Sequence, residues 1–164
     1  MTDTSARPVI STPRRWLTQV TAAVDPETAF TFCSTPRNWQ RYFSITRGVE
    51  GEPVDRHATY GDQFVEHTQG LARFLNPIAW IVVADQPPSL WRICGWRQIG
   101  RLWRREIASI TYRFAPAGEH TTEISREMTF EVGALVPLLL LRARTEREFV
   151  TSLNRLRDLL EEAG

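Results

Sequence analysis

Lysine is absent from this chain. All 20 basic residues are arginine, set against 19 acidic residues for a net charge of +1. No lysine Schiff base can form, which excludes covalent aldolase-type and PLP-type chemistry through Lys. The near-neutral balance gives no global electrostatic reason to expect nucleic acid or an anionic membrane as partner. Cysteine is scarce too: Cys33 and Cys94 lie in apolar neighbourhoods without ligand-like spacing. They are expected to be buried free thiols of a reducing compartment, with the cytoplasm as the expected location. The longest apolar run, Ala134 to Leu141, falls far short of the roughly 20 residues a membrane span needs, so no membrane insertion is expected.

Familiar chemical motifs are missing as well. There is no G-x-G-x-x-G, P-loop, H-E-x-x-H or C-x-x-C, and His57, His67 and His120 are not at helical i, i+4 spacing. Neither a nucleotide site nor a metal site is expected, and no cofactor is indicated. Ser109 and Ser125 stand in no nucleophile elbow, which argues against a serine hydrolase. The basic stretch RQIGRLWRRE carries Trp103, but a hairpin turn with solvated arginines accounts for it better than RNA binding does.

What is present is an ordinary globular composition, 42% apolar and 24% charged over 164 residues. That length suits one domain burying about 70% of its unfolded surface. Residues 1–14 are polar and proline-containing, and are expected as a flexible leader to a single domain over 15–164. Trp16, Thr18, Val20, Ala22 and Val24 alternate with Leu17, Gln19, Thr21 and Ala23 in a strand-like period. Asp25 then caps a helix with Pro26 at its first position, ending near Cys33 before Pro36. A second short helix over about 37–43 carries Trp39, Tyr42 and Phe43. Strands follow around 45–50, 61–68, 78–85, 89–97, 104–115 and 121–132, punctuated by Gly61, Pro87–Pro88, Gly100 and the PAGEH turn. A long helix over about 135–162 ends the chain, with Phe149, Leu153, Leu156 and Leu160 on one buried face. The order predicts an α+β fold: a curved antiparallel sheet of seven strands gripping one long helix, with more concave surface than that helix can fill.

Side-chain parity then points to individual residues. Along 121–132 the apolar set Ile124, Met128, Phe130 and Val132 must face the core, and Arg126 shares its parity. With the hairpin turn centred near Gly118, Tyr112 opposes Ile124 and lies diagonal to Arg126. The inward set of the partner strand is then Glu106, Ala108, Ile110, Tyr112 and Phe114. A guanidinium on that face costs several kcal/mol unless it is paired or wet, so Glu106, water or a ligand carboxylate or enolate is expected to compensate it. Two strands stay ambiguous. In 89–97 either Leu90, Arg92, Cys94 and Trp96 or Trp91, Ile93 and Gly95 point inward. In 61–68 Phe64 and Glu66 share one parity, Val65 and His67 the other, so either Glu66 or His67 could supply an acid–base group.

The segments VTAAVDPETAFTFCSTPRNWQRYF, GDQF, IAWIVVADQPPSLWR and ITYRFAPAGEHTTEISREMTF, followed by the amphipathic end helix, resemble the SRPBCC superfamily over about 15–162. This is the START-like, helix-grip fold, here nearest its polyketide cyclase/dehydrase-like branch. The resemblance implies a hydrophobic small-molecule cavity between sheet and long helix, with the short helices plugging one end, and no shared catalytic motif. It implies ligand-lining roles for Trp39, Tyr42, Phe43, Phe64, Trp80, Arg92, Trp96, Glu106, Ile110, Met128, Phe130, Leu138 and Leu141. Trp39, Tyr42 and Phe43 can be core plug and pocket wall at once. The reaction it suggests is a cofactor-independent cyclisation or dehydration, with Arg126, Tyr112, Glu66 and His67 as catalytic candidates. The alternative is a non-catalytic carrier or sensor of a lipid or quinone-type ligand. Partners are therefore expected to be small hydrophobic molecules, on a monomer or homodimer.

Overall fold

The computed structural model describes residues 5–12, 15–70, 75–99, 103–130 and 142–163. Strands β1 (Arg7–Thr12) and β2 (Arg15–Ala22) lead into α1 (Pro26–Cys33), a 3-10 turn (Pro36–Asn38) and α2 (Trp39–Tyr42). Strand β3 (Thr46–Glu50), a second 3-10 turn (Glu52–Asp55), β4 (Gln63–Thr68), β5 (Ile78–Gln86), β6 (Leu90–Ile99), β7 (Trp103–Gly118) and β8 (Thr121–Phe130) follow, and α3 (Arg142–Ala163) closes the chain. The strands form one antiparallel sheet in the order β1-β2-β8-β7-β6-β5-β4-β3. All seven expected strands are there. An eighth precedes them, because residues 7–12 of the expected leader pair with β2 and extend the sheet edge.

Local sequence explains the turn of the chain between sheet and helices. Asp25 is extended at the start of α1, and its carbonyl accepts the first helical N–H bonds from Thr28 and Ala29. Its side chain caps nothing and instead meets His120 Nδ1 at 3.0 Å. Ser34 ends α1 by donating from its hydroxyl to the Phe30 carbonyl at 2.7 Å. Pro36 then starts the 3-10 turn that delivers Trp39 and Tyr42 into the core, where both are buried.

The β7–β8 hairpin turns at Glu119–His120, two residues from a Gly118-centred register. Tyr112 therefore lies directly opposite Arg126, Ile110 opposite Met128, and Phe114 opposite Ile124. A shift of two residues preserves every side chain's face, so Ala108, Ile110, Tyr112 and Phe114 are buried as expected. Glu106 is not on that face. The ladder skips Ile107 between Gly95–Ala108 and Trp96–Glu106, and a one-residue bulge reverses the parity beyond it. In β6 the inward set is Trp91, Ile93 and Gly95, leaving Arg92 exposed on the outer face. In β4 it is Phe64, Glu66 and Thr68. Helix α3 crosses the concave face against β2 and α2, burying Thr145, Phe149, Ser152, Leu153, Leu156 and Leu160.

Candidate functional site

The interior between sheet and α3 has two polar poles separated by aromatic rings. The first is a cavity lined by Phe43, Ile45, Glu66, Leu75, Ile78, Trp80, Ala108, Ile110, Met128, Phe130, Thr145, Glu148 and Phe149. It is narrow: the volume open to the centre of a water-sized sphere is about 30 Å3, room for one or two waters. Glu66 is its buried carboxyl. Thr46 Oγ1 donates to Glu66 Oε1 at 2.5 Å, and Trp80 Nε1 donates to Glu66 Oε2 at 2.9 Å. Burial holds this carboxyl above the usual carboxylate range, although both hydrogen bonds favour the anion. Glu148 stands at the rim, half-buried, and accepts a hydrogen bond from Ser44 Oγ.

The second pole is Arg126, fully buried on β8 one inward row beyond Met128. Its Nη2 donates to the Phe149 carbonyl at 2.6 Å and to Ser152 Oγ at 2.7 Å. The guanidinium carbon lies 4.9 Å from the Phe43 ring centroid and 5.8 Å from that of Phe149. No carboxylate pairs with it among the described residues, and its Nε and Nη1 have no hydrogen-bond partner. Ring contacts of this kind stabilise by about 0.5–2 kcal/mol each, against a burial cost of several kcal/mol. Around it sit Tyr112 and Tyr42, whose hydroxyls are 3.1 Å apart, and Cys33. Burial pushes the Cys33 thiol and both phenols upward, Tyr42 most clearly. All three stay neutral near pH 7 and none can serve as a counter-charge.

A model of the family described as polyketide cyclase/dehydrase and lipid transport matches residues 15–161. The chain belongs to that family. Similar solved structures include a Mesorhizobium loti protein at 11% identity, covering 92% of this chain and 99% of its own with a TM-score of 0.66. A Rhodobacter sphaeroides protein at 14% identity covers 95% and 98% with a TM-score of 0.64. CalU16 from Micromonospora echinospora, at 16% identity, covers 97% and 95% with a TM-score of 0.51. At these identities the likeness shows the helix-grip fold. No curated protein matches the chain.

In this member of the polyketide cyclase/dehydrase and lipid-transport family, the residues singled out from sequence divide cleanly. Glu66, Phe43, Trp80, Ile110, Met128 and Phe130 line the cavity. Arg126 and Tyr112 are buried but off the cavity wall, Arg126 against the rings of Phe43 and Phe149 and Tyr112 against Trp91, Phe114 and Tyr42. Trp39 and Phe64 are core: Trp39 packs edge-to-face on Phe64, Trp80 and Trp91 and donates from its indole to the Cys33 carbonyl. Tyr42 belongs to the Arg126 pole. His67 points outward, its Nε2 3.0 Å from Glu50 Oε1, because Glu66 takes the inward parity of β4. Arg92, Trp96 and Glu106 share the outer face: Trp96 pairs with exposed Ala79, and Glu106 lies beside Cys94. Glu106 therefore cannot neutralise Arg126. Leu138 and Leu141 fall outside the described residues.

Sequence reasoning missed Thr46, Thr145, Glu148, Ser152 and Trp16. The helical stripe of Phe149, Leu153, Leu156 and Leu160, read backwards by turns, runs through Ser152 and Thr145 and would have flagged two hydroxyls on a buried face. Among the described residues no helix is long and apolar enough to cross a membrane, and no three His, Cys, Asp or Glu side chains gather as a metal site.

Proposed function

We propose that this protein binds an apolar, oxygen-bearing small molecule between the sheet and α3 and carries out a cofactor-independent dehydration or cyclisation on it. The observation that carries the reading is Glu66, a buried carboxyl on the wall of a mostly apolar cavity, where burial shifts it toward the protonated form. A carboxylic acid so placed can protonate a leaving hydroxyl; its carboxylate can remove the proton beside a carbonyl. Thr46 and Trp80 fix its orientation from both oxygens. The second pole, Arg126 with Tyr112, is where negative charge developing on an enolate would be held. Phe43, Leu75, Ile78 and Met128 supply apolar walls that fold a flexible substrate, a proximity effect that needs no strong nucleophile. Ligand binding must widen the present space, which Phe43 and Phe149 border on the side of Arg126.

A second reading is a non-catalytic carrier of a lipid or quinone-type molecule. It is favoured by the wall itself, which apart from Glu66, Thr145 and Glu148 is entirely apolar. Native mass spectrometry of protein taken from its source, followed by incubation of the retained compound with wild type and Glu66→Gln, separates the two. Conversion by wild type, slowed about 100-fold or more in the variant that still binds, supports the acid–base role. Equal binding with no conversion by either protein supports the carrier and removes the catalytic reading.

A further inference from the structure

Three buried side-chain polar atoms lack a partner among the described residues, and all three are N–H donors: Trp16 Nε1, Arg126 Nε and Arg126 Nη1. They belong to one patch. Trp16 pairs with Met128 across β2 and β8, and Thr18 pairs with Arg126, so the indole and the guanidinium occupy adjacent inward rows. Both lean on the same ring, with Trp16 5.8 Å from Phe149 edge-to-face and the Arg126 guanidinium carbon 5.8 Å from its centroid. Buried donors without acceptors are rare in folded proteins and each asks for an explanation. Among the described residues no unpartnered buried acceptor accompanies them, and no carboxylate forms an ion pair with the guanidinium. The complement of such a patch is a group that only accepts hydrogen bonds and carries negative charge.

We propose that the ligand is a hydrophobic anion, a carboxylate or enolate on an apolar body, whose charged head docks on Arg126 and Trp16 while its body occupies the Glu66 cavity. This deepens the function proposed above and rests on its cavity. The geometry suits a short amphiphile: Met128 lines the cavity and Arg126 is the next inward residue of β8, about 7 Å away along a strand. Phe43 and Phe149 bridge the two poles. Both line the cavity and both carry the guanidinium near their faces. They form a partition that the head must displace, and a cation held over rings is ready to exchange them for an anion.

The test compares decanoate with 1-decanol at pH 8 by isothermal titration, using wild type, Arg126→Met and Phe43→Ala. Moving a carboxylate into an apolar cavity without a partner is unfavourable, so the sign of the preference is diagnostic. Wild type is expected to bind decanoate at least tenfold more tightly than decanol. Arg126→Met should reverse that preference and leave decanol affinity within about twofold. Phe43→Ala opens the partition while keeping the charge, and should strengthen decanoate binding more than decanol binding; it tests the proposal even if Arg126→Met fails to fold. Decanol bound in preference to decanoate by both wild type and Phe43→Ala would overturn the head-group assignment and leave the cavity reading standing. If neither ligand binds wild type or Phe43→Ala, both readings fall.

Discussion

Replacing Gly95 by alanine places a methyl group where Trp80 lies. A Cβ built on Gly95 would sit 2.8 Å from Trp80 Cζ3, 3.0 Å from Trp80 Cε3 and 2.9 Å from Ile78 Cγ2. Gly95 is outside the left-handed backbone region, so space alone makes glycine necessary there. Trp80 cannot retreat freely, because Trp39 meets it edge-on at 5.9 Å and its indole donates to Glu66. Overpacking of this kind costs about 1–3 kcal/mol. Displacing the indole also weakens its bond to Glu66, a loss of about 0.5–1.5 kcal/mol when the carboxyl is neutral and about 1.5–3 kcal/mol when it is charged. The expected destabilisation is therefore about 1.5–4.5 kcal/mol in acid and about 2.5–6 kcal/mol in alkali. Urea unfolding followed by tryptophan fluorescence at pH 5 and pH 8 measures both. A loss below about 0.5 kcal/mol at both pH values, or a larger loss at pH 5, would refute the coupling of Gly95 through Trp80 to Glu66.

Other outcomes follow from the same contacts. Glu66→Gln should stabilise the fold increasingly as pH rises: wild type gains from the raised Glu66 pKa only while the group is protonated, and loses that gain as pH climbs through the folded-state pKa. Unfolding free energies of the two proteins from urea titrations should converge in acid and separate by about 1.4 kcal/mol per unit of pKa displacement in alkali. In a Tyr42→Phe, Tyr112→Phe double-mutant cycle, the 3.1 Å hydroxyl pair should show a coupling of about 1 kcal/mol; additivity within about 0.3 kcal/mol would show the bond to be idle. Trp39→Ala should cost about 3–5 kcal/mol in thermal or urea unfolding, the range for deleting a buried aromatic ring. His67→Ala, removing a ring paired to exposed Glu50, should shift stability by less than about 1 kcal/mol and leave ligand affinity unchanged.

Element order was legible because each element carries a local signal. The alternation of Trp16, Val20 and Ala22, the Asp25–Pro26 start of α1 and the Phe149–Leu160 stripe each act within a few residues, and each appears in the structure. The eighth strand was not legible. Residues 7–12 lack a clear apolar alternation, and what makes them a strand is pairing with the edge of β2. The size of the cavity was equally hidden. Curvature of the sheet predicts space beneath α3, but how much of it Phe43, Trp80 and Phe149 fill depends on rotamers that no periodicity encodes.

The candidate site shows why some assignments survive an error and others do not. Strand alternation depends on parity alone, so a register wrong by two residues still put Arg126 and Tyr112 on the inner face, and brought them directly opposite instead of diagonal. A bulge changes the count by one. The skipped Ile107 therefore turned Glu106 from the expected counter-ion of Arg126 into an outer-face residue beside Trp96. That reversal has a chemical consequence larger than its geometric cause: with Glu106 on the outer face, two nitrogens of Arg126 are left without a partner in the interior among the described residues. Evolution tolerates an uncompensated buried guanidinium only where something intermittently compensates it or where its two bonds to α3 outweigh the cost. The bonds to the Phe149 carbonyl and Ser152 engage Nη2 alone. They account for one nitrogen of three, and the anionic ligand proposed above would account for the others.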